Sequence, residues 1–248
     1  MEKITSRRNP LCVHFKKLGM SRAYRYSCGE FLCDGMKLLK EAERGGAEIV
    51  AVLTSNHIPF PLPIETKVYL TDESIIHALS PLKNAQSVLF TCRIPKSYDT
   101  FDGGSMILLD GLQDPGNVGT IIRTANAFGI GGVILSEGCA DLYNPKTIRA
   151  TMGALFKQPS IMMNQSEIKR LKERGIRFVG ASVGEGSKDI TEVRLKDSII
   201  VIGSEGAGIS GAILALCDEQ IKIPISPDCE SLNAAVAAGV IMWCARTE

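Results

Sequence analysis

The stretch SMILLDGLQDPGNVGTIIRTANAFGIGGVILS, residues 105–136, holds an unbroken apolar run, a turn, a helical repeat and a second apolar run. Ser105–Leu109 is hydrophobic from Met106 on, the pattern of a strand covered on both faces; a half-exposed strand would alternate. Asp114, Pro115, Gly116 and Asn117 make a turn that can cap a helix over Gly116–Phe128, and Gly132–Leu135 is the next strand. Parallel neighbours need such a helical crossover. The alternation continues downstream. Helices predicted over Pro145–Leu155, Glu167–Arg174, Gly208–Cys217 and Ser231–Cys244 separate strands predicted over Ser160–Met163, Ile176–Ala181, Ser198–Gly203 and Gln220–Ile223. The fold class is therefore α/β, a parallel sheet with helices on both faces.

Upstream of residue 105 the pattern is less regular. Residues 30–44, EFLCDGMKLLKEAER, place Phe31, Met36, Leu38, Leu39 and Ala42 at near-helical spacing, and Gly45-Gly46 ends that run, so a helix is expected there. Strands are expected over Ile49–Leu53, Lys67–Leu70 and Ser87–Cys92, with Asp72 capping a helix through Leu79. Between Pro95 and Gly104 the chain is rich in Pro, Ser, Thr, Asp and Gly, a linker composition. This predicts an N-terminal domain over 1–94, a linker over 95–104 and a second domain over 105–248.

At 45% hydrophobic and 22% charged residues, the 248-residue chain can bury a core, which excludes wholesale disorder. Its longest uncharged apolar run, Ala234–Ala245, is 12 residues, against the roughly 20 that a bilayer requires. The segment MEKITSRRNP has neither the apolar stretch nor the cleavage site of a signal peptide, so a cytoplasmic location is expected. Eight scattered cysteines without a C-x-x-C pair, and three histidines out of ligand spacing with them, make a metal site or a disulfide framework unexpected.

The net charge of +1 hides an asymmetry. Residues 1–26 carry Lys3, Arg7, Arg8, Lys16, Lys17, Arg22 and Arg25 against Glu2 alone, while the other 222 residues have 21 basic and 26 acidic side chains. Phe15, Tyr24 and Tyr26 interleave the basic segment. Cations for phosphates and rings for bases suit looped or single-stranded RNA. A solvated basic arm with its rings packed inward accounts for the same pattern.

In a parallel sheet, ligands bind at the carboxyl ends of the strands, and three loops there stand out. In residues 108–129, Arg123 follows Asn117 by six positions, a helical rotation of about 600° that keeps the two off a common face. Asn117 then belongs to the helix entry and Arg123 to its second turn; a capped helix with an exposed arginine reads the same way. In residues 199–210, a buried strand runs into Gly203, Gly206 and Gly208 around Glu205. The order G-x-x-G-x-G is neither a dinucleotide fingerprint nor a P-loop. In residues 221–244, Pro224 closes a strand, Ser231 can cap a helix, and Asn233 lies in its first turn ahead of Ala234, Ala235, Ala237, Ala238 and Gly239. A small-residue core helix fits those alanines equally well.

Taken together and in order, these motifs resemble the SpoU (TrmH-type) RNA ribose 2′-O-methyltransferases of the SPOUT superfamily. The resemblance rests on Asn117…Arg123, on GSEGAGIS at 203–210, and on Ile223-Pro224…Ser231-Leu232-Asn233…Ala237-Ala238-Gly239, and it covers residues 105–248. Residues 6–93 resemble, more loosely, the accompanying RNA-binding domain, a small α/β fold related to ribosomal proteins, through Asn9-Pro10, the basic run, and Gly29-Glu30-Phe31-Leu32…Gly35. Asp34-Gly35 stands where that domain usually has Glu-Gly. In the third motif Ile225 replaces a frequent methionine, and Ala234-Ala235 a frequent Val-Ser.

The resemblance implies a SPOUT-type parallel sheet with a deep trefoil knot near the C-terminus. It implies S-adenosylmethionine as cofactor, held near Gly203, Ile223, Leu232, Ser231 and Ala181. Arg123, Asn117, Glu205 and Asn233 would be the catalytic set, and Arg7, Arg8, Lys16, Lys17, Arg22 and Arg25 the RNA-binding residues. A homodimer through the knot region is implied, with each site built from both subunits. The substrate class that the resemblance implies is ribosomal RNA, 23S favoured, because a separate N-terminal domain of this kind accompanies ribosomal-RNA modifiers in that family; a tRNA ribose 2′-O-methyltransferase and a non-catalytic RNA-binding relative are the alternatives.

Overall fold

The computed structural model describes residues 2–82, 85–95, 104–184 and 186–246. The elements in chain order are β1 (Glu2–Ile4), α1 (Pro10–Met20), α2 (Arg22–Cys28), β2 (Glu30–Asp34), α3 (Met36–Arg44), β3 (Ile49–Thr54), β4 (Lys67–Thr71), α4 (Glu73–Leu79), β5 (Val88–Arg93), β6 (Met106–Asp110), α5 (Pro115–Phe128), β7 (Gly132–Ser136), α6 (Pro145–Thr151), β8 (Ser160–Met163), α7 (Gln165–Glu173), β9 (Arg177–Ala181), β10 (Lys188–Asp189), β11 (Ser198–Gly203), α8 (Gly211–Leu214), β12 (Glu219–Lys222) and α9 (Ala234–Arg246). They form two compact units, Met1–Ser97 with Tyr143–Lys157, and Tyr98–Leu142 with Gln158–Glu248. The expected linker lies, at 96–103, outside the described residues. Residues 143–157 belong by packing to the first unit, although β7 and β8 on either side of them belong to the second.

The first unit has a five-stranded sheet in the order β1-β4-β3-β5-β2, parallel from β1 to β3 and antiparallel from β3 to β2. The expected helix over 30–44 is a strand followed by a helix. Glu30 to Cys33 are all buried and pair with β5, so both faces of the segment are covered, and only Met36–Arg44 keeps the amphipathic helical pattern. Two helices form in the basic N-terminal segment. Asn9 accepts the Leu11 N–H at 2.9 Å with Pro10 in the first turn of α1, and Ser21 accepts the Tyr24 N–H at 3.2 Å to start α2. Phe15 and Leu18 of α1 and Ile75, Ile76 and Leu79 of α4 close one core with Leu32, Leu53 and Leu89 of the sheet. The Asp72 side chain makes no cap on α4; it pairs with Lys3 at 3.6 Å instead. Residues 143–157 add Tyr143, 4.7 Å from the ring of Phe31, and Lys157, 2.7 Å from Glu41. The helix expected to reach Leu155 stops at Thr151, where Met152 (φ 51°) and Gly153 (φ 95°) turn left-handed.

The second unit holds a seven-stranded sheet in the order β10-β12-β9-β11-β6-β7-β8, and every pair is parallel. Ile107, Leu108, Leu109, Ile199, Ile200 and Val201 are fully buried, as their unbroken hydrophobicity requires. Strand order reverses between β6 and β11. The chain leaves β6 towards β7 on one side, while β11 and β9 lie on the other, so a crevice opens beyond the carboxyl ends of these two strands. Two helices differ from expectation. Gly208 (φ 68°) closes a tight loop with Ser204, which confines the helix expected over 208–217 to α8, Gly211–Leu214. The last helix starts at Ala234, and Asn233 caps it in place of Ser231: its Oδ1 accepts the N–H groups of Ala235 and Val236 at 2.9 and 3.3 Å.

Candidate active site

Asp110 and Gly203 end β6 and β11 as register partners, so the loops that follow them start side by side. In the first loop Asp114 accepts the Asn117 N–H at 2.8 Å and fixes the start of α5. Asn117 projects from that first turn. Its Nδ2 donates to Glu205 Oε1 in the second loop, and its Oδ1 accepts Asn233 Nδ2 from the third at 3.1 Å. Asn233 Oδ1 is committed to the α9 N–H groups, which fixes its amide orientation and, through it, that of Asn117. Glu205 is exposed, and its second carboxylate oxygen has no partner among the described residues. Three loops thus converge on one polar chain with an open acceptor.

Gly203 serves the loop itself. A Cβ there would collide with the Gly208 carbonyl and the Ile209 nitrogen, because the Ser204 N–H donates to Gly208 O at 3.1 Å and the Gly208 N–H returns to Ser204 O at 2.9 Å. Only glycine lets β11 pass under its own return loop, which displays Glu205. Gly203 does not line the nearby cavity. That cavity, about 140 Å³, is lined by Ala181, Ile223, Ser231 and Leu232, four of the five positions expected for cofactor contact, together with Ala237 and Ile241 of α9. Aliphatic walls and a small alanine floor suit a flat apolar group such as a purine; Ser182 and Lys222 add polar atoms at its edge. Sequence reading missed Ala237 and Ile241 as lining residues, and the alanine run of α9 was their only signal.

Arg123 does not join the polar chain. It is exposed on α5 and has no hydrogen-bond or ion-pair partner among the described residues. Helices α5 and α9 run parallel: Asn117 meets Asn233, Thr124 comes within 4.0 Å of a Cβ position on Gly239, and the Phe128 and Trp243 rings lie 5.7 Å apart, edge to face. Val236, Val240 and Trp243, at 54, 37 and 51% exposure, leave an apolar stripe on α9, with Arg246 stacked 3.8 Å over the Trp243 ring. Two thiols lie close to these loops. Burial raises Cys139, which accepts the Leu112 N–H at 3.3 Å, and pushes Cys217 up to about 11.

In the first unit, Arg7, Arg8, Lys16, Lys17 and Arg22 are exposed. Lys17 lies 5.4 Å over the Tyr24 ring and Arg22 5.7 Å over that of Tyr26, which is 42% exposed. Phe15 is core. The expectation for Arg25 is corrected: at 3% exposure it points inward and donates to the Leu18 carbonyl at 2.6 Å, joining α2 to the end of α1. A buried guanidinium already engaged with backbone cannot meet a phosphate. Among the described residues no group of three or more His, Cys, Asp or Glu could hold a metal ion, and no helix is long and apolar enough to cross a membrane.

Residues 104–243 match the model of the SpoU rRNA methylase family. The chain is 30% identical over 246 residues, 98% of each chain, to the 23S rRNA (guanosine(2553)-2′-O)-methyltransferase RlmP of Bacillus subtilis. Among solved structures it is similar to the SpoU methyltransferase AviRb of Streptomyces viridochromogenes in complex with AdoMet (TM-score 0.87, 27% identity, 97% of this chain and 98% of that one). It is similar also to an AdoMet-bound rRNA methyltransferase of Sinorhizobium meliloti (TM-score 0.86, 26% identity, 99 and 97% covered).

Proposed function

The chain belongs to the SpoU rRNA methylase family, and from that premise we propose how its residues perform the family's reaction. It is an RNA methyltransferase that uses S-adenosylmethionine and methylates a ribose 2′-hydroxyl of ribosomal RNA. The observation that carries the site reading is the convergence of Asn117, Glu205 and Asn233, from three separate loops, into one hydrogen-bonded chain. Ile223, Leu232, Ser231 and Ala181 hold the cofactor, and Gly203 shapes the loop beside it.

When bound, S-adenosylmethionine supplies a methyl group on a sulfonium, already electrophilic. The difficult part is the hydroxyl, a weak acid whose oxygen gains negative charge as it attacks. Glu205 offers its open carboxylate oxygen to the ribose, and Asn117 and Asn233 keep that carboxylate in place. Arg123 presents a planar guanidinium with several donors, and its role is to orient the ribose-phosphate and stabilise the developing alkoxide. Among the described residues no histidine lies beyond His77, which leaves that work to Arg123 and the carboxylate.

The protein acts as a homodimer, with Arg123 serving the ribose site of the partner subunit and not its cofactor cavity; the exposed stripe of Val236, Val240 and Trp243, and the lack of any bond from Arg123 to its own polar chain among the described residues, support this. A trefoil knot is supported by the placement of β12 between β9 and β10, two strands that precede it in the chain. The 1–94 domain binds RNA through Arg7, Arg8, Lys16, Lys17 and Arg22, and the lack of a disulfide among the described cysteines supports a cytoplasmic location.

The test is transfer of labelled methyl from S-adenosylmethionine to deproteinised cellular RNA, separated into rRNA and tRNA and digested to nucleosides. Label in a 2′-O-methylnucleoside from 23S rRNA is the expected result. Label from tRNA would replace the substrate and keep the chemistry. Cofactor binding with no label, on free RNA and on ribosomal precursor particles alike, would make the protein a non-catalytic binder.

A further inference from the structure

Asp110 lies outside all three motifs, yet it sits where two of the catalytic loops begin. It is the last residue of β6, 6% exposed, and the first charge after the apolar run Met106–Leu109. A carboxylate so deeply buried is costly unless its oxygens are hydrogen-bonded. Both are. Oδ1 accepts the Ser136 hydroxyl at 2.9 Å, and Oδ2 accepts the Ser210 N–H at 2.7 Å. Ser136 Oγ in turn accepts the Gly111 N–H at 3.1 Å, in the loop that leads to Asn117.

These bonds place Asp110 at both ends of the loop that carries Glu205. At its start, Gly203 is the register partner of Asp110 in the sheet. At its end, Ser210 is tied down by the Asp110 side chain. Between them the Ser204–Gly208 bridge closes the loop and leaves Glu205 at its tip, facing Asn117. Ser210 stands just before the short α8, so its N–H has no intrahelical acceptor and is available for this one long-range bond. Without it, the end of the loop would lose its tie to β6, and with it the fixed placement of the Glu205 carboxylate relative to Asn117.

We propose that Asp110 is a positioning residue for methyl transfer, acting through Glu205 by holding the 203–210 loop in register with the start of α5. This rests on the assignment of Glu205 to the active site. The carboxylate acts here as an acceptor of two hydrogen bonds. An asparagine can do the same work: its Oδ1 takes the Ser210 N–H, while its Nδ2 donates to Ser136 Oγ, whose hydroxyl turns to the Glu137 carbonyl 3.1 Å away.

The experiment measures single-turnover methyl transfer from labelled S-adenosylmethionine to 23S rRNA, cofactor affinity by calorimetry, and Tm. It uses the full chain with Asp110→Ala and Asp110→Asn, each alone and combined with Glu205→Gln. Asp110→Ala is expected to slow transfer about 10–100-fold, as sub-ångström misplacement does, with cofactor affinity within about threefold. Asp110→Asn should stay within about threefold of the parent. In the Glu205→Gln background Asp110→Ala should cost no more than about threefold further, since the group it positions is already compromised. An equal loss in both backgrounds, a parent-like rate for Asp110→Ala, or an Asp110→Asn as slow as Asp110→Ala would overturn the proposal. If Glu205→Gln alone keeps the parent rate, the assignment of Glu205 fails first, and that is distinguishable from a slow Glu205→Gln beside a fast Asp110→Ala. Should Asp110→Ala not fold, Ser136→Ala removes one of the two bonds: a loss of about two- to fivefold in the parent, absent with Glu205→Gln, supports the proposal, and no loss overturns it.

Discussion

In the parallel-sheet unit, Asn117, Glu205 and Asn233 use their hydrogen bonds on one another and on the first turn of a helix. In the mixed-sheet unit, Arg8 and Lys16 hold their charges in solvent with no ion-pair partner among the described residues. The first arrangement is preorganised: under the proposed function, a ribose entering it meets an acceptor whose direction is already fixed. The second is a field, in which each cation adds a similar increment and none depends on its neighbour's geometry. A locked chain should fail through rate and a field through salt-dependent affinity, and that difference can be tested.

The largest effect is expected at Arg123, a free charge within the preorganised unit. Arg123→Ala should slow methyl transfer by about 10²–10³-fold, the usual cost of losing one stabiliser of developing negative charge. Cofactor affinity measured by calorimetry should hardly change, because Arg123 does not line the cavity. Parallel loss of rate and cofactor affinity would break the division of roles drawn above.

In the other unit, replacing Arg7, Arg8, Lys16, Lys17 and Arg22 together by glutamine should weaken RNA binding. The slope of log affinity against log salt should flatten by about 0.7–0.9 for each phosphate that is no longer neutralised. The transfer rate at saturating RNA should stay within about threefold of the parent, as the site itself is untouched. Arg25 sharpens the contrast. Arg25→Gln should leave the salt slope unchanged and lower stability by about 1.5–3 kcal/mol, a Tm fall of several degrees, because it removes a buried charged donor from the Leu18 carbonyl.

The smallest effect separates the units by pH. In the parallel-sheet unit, the Lys172 ammonium and the Phe178 N–H hold the Asp218 carboxyl below its ordinary value. Its stabilising share is therefore intact above the ordinary aspartate pKa and is lost as pH falls through the lower folded value. In the mixed-sheet unit, burial raises Asp34 in spite of the Ser80 hydroxyl and the Gln86 N–H. Ionising Asp34 costs stability, so that share is present below the ordinary value and declines as pH rises through the higher folded one. Amide exchange followed from about pH 3 to 6, across ordinary carboxylate values, should show protection falling towards acid in β9 and β12 and, in β2 and β5, falling as pH rises. A common direction in both units would remove this distinction.

The parallel-sheet unit was legible because fully covered strands are apolar throughout and their crossovers are helices, so Ser105–Leu109 and Ser198–Gly203 read unambiguously. Residues 30–34 did not. EFLCD has the hydrophobicity of a buried strand and also fits the first turn of the helix after it, and only pairing with β5 separates the two. The helix expected over 208–217 is shorter because Gly208, which suits a helix opening in sequence, is the left-handed corner of a closed loop. Residues 143–157 follow β7 in sequence like any crossover, yet they pack with the other unit, and neither composition nor periodicity marks that.

The sequence alone determined the parallel sheet, the three motif loops and the basic N-terminal segment, since burial on both faces, turn chemistry and charge are written locally in residue types. Tertiary structure alone decided that Asn233 rather than Ser231 caps the last helix, that Asn117 bridges Glu205 and Asn233, and that Arg25 turns inward while Arg22 does not. It also placed Asp110 between two loops whose anchoring residues lie 100 positions apart. Each of these is a choice among hydrogen-bond partners of nearly equal local merit, and such a choice is made only when distant segments arrive at the same place.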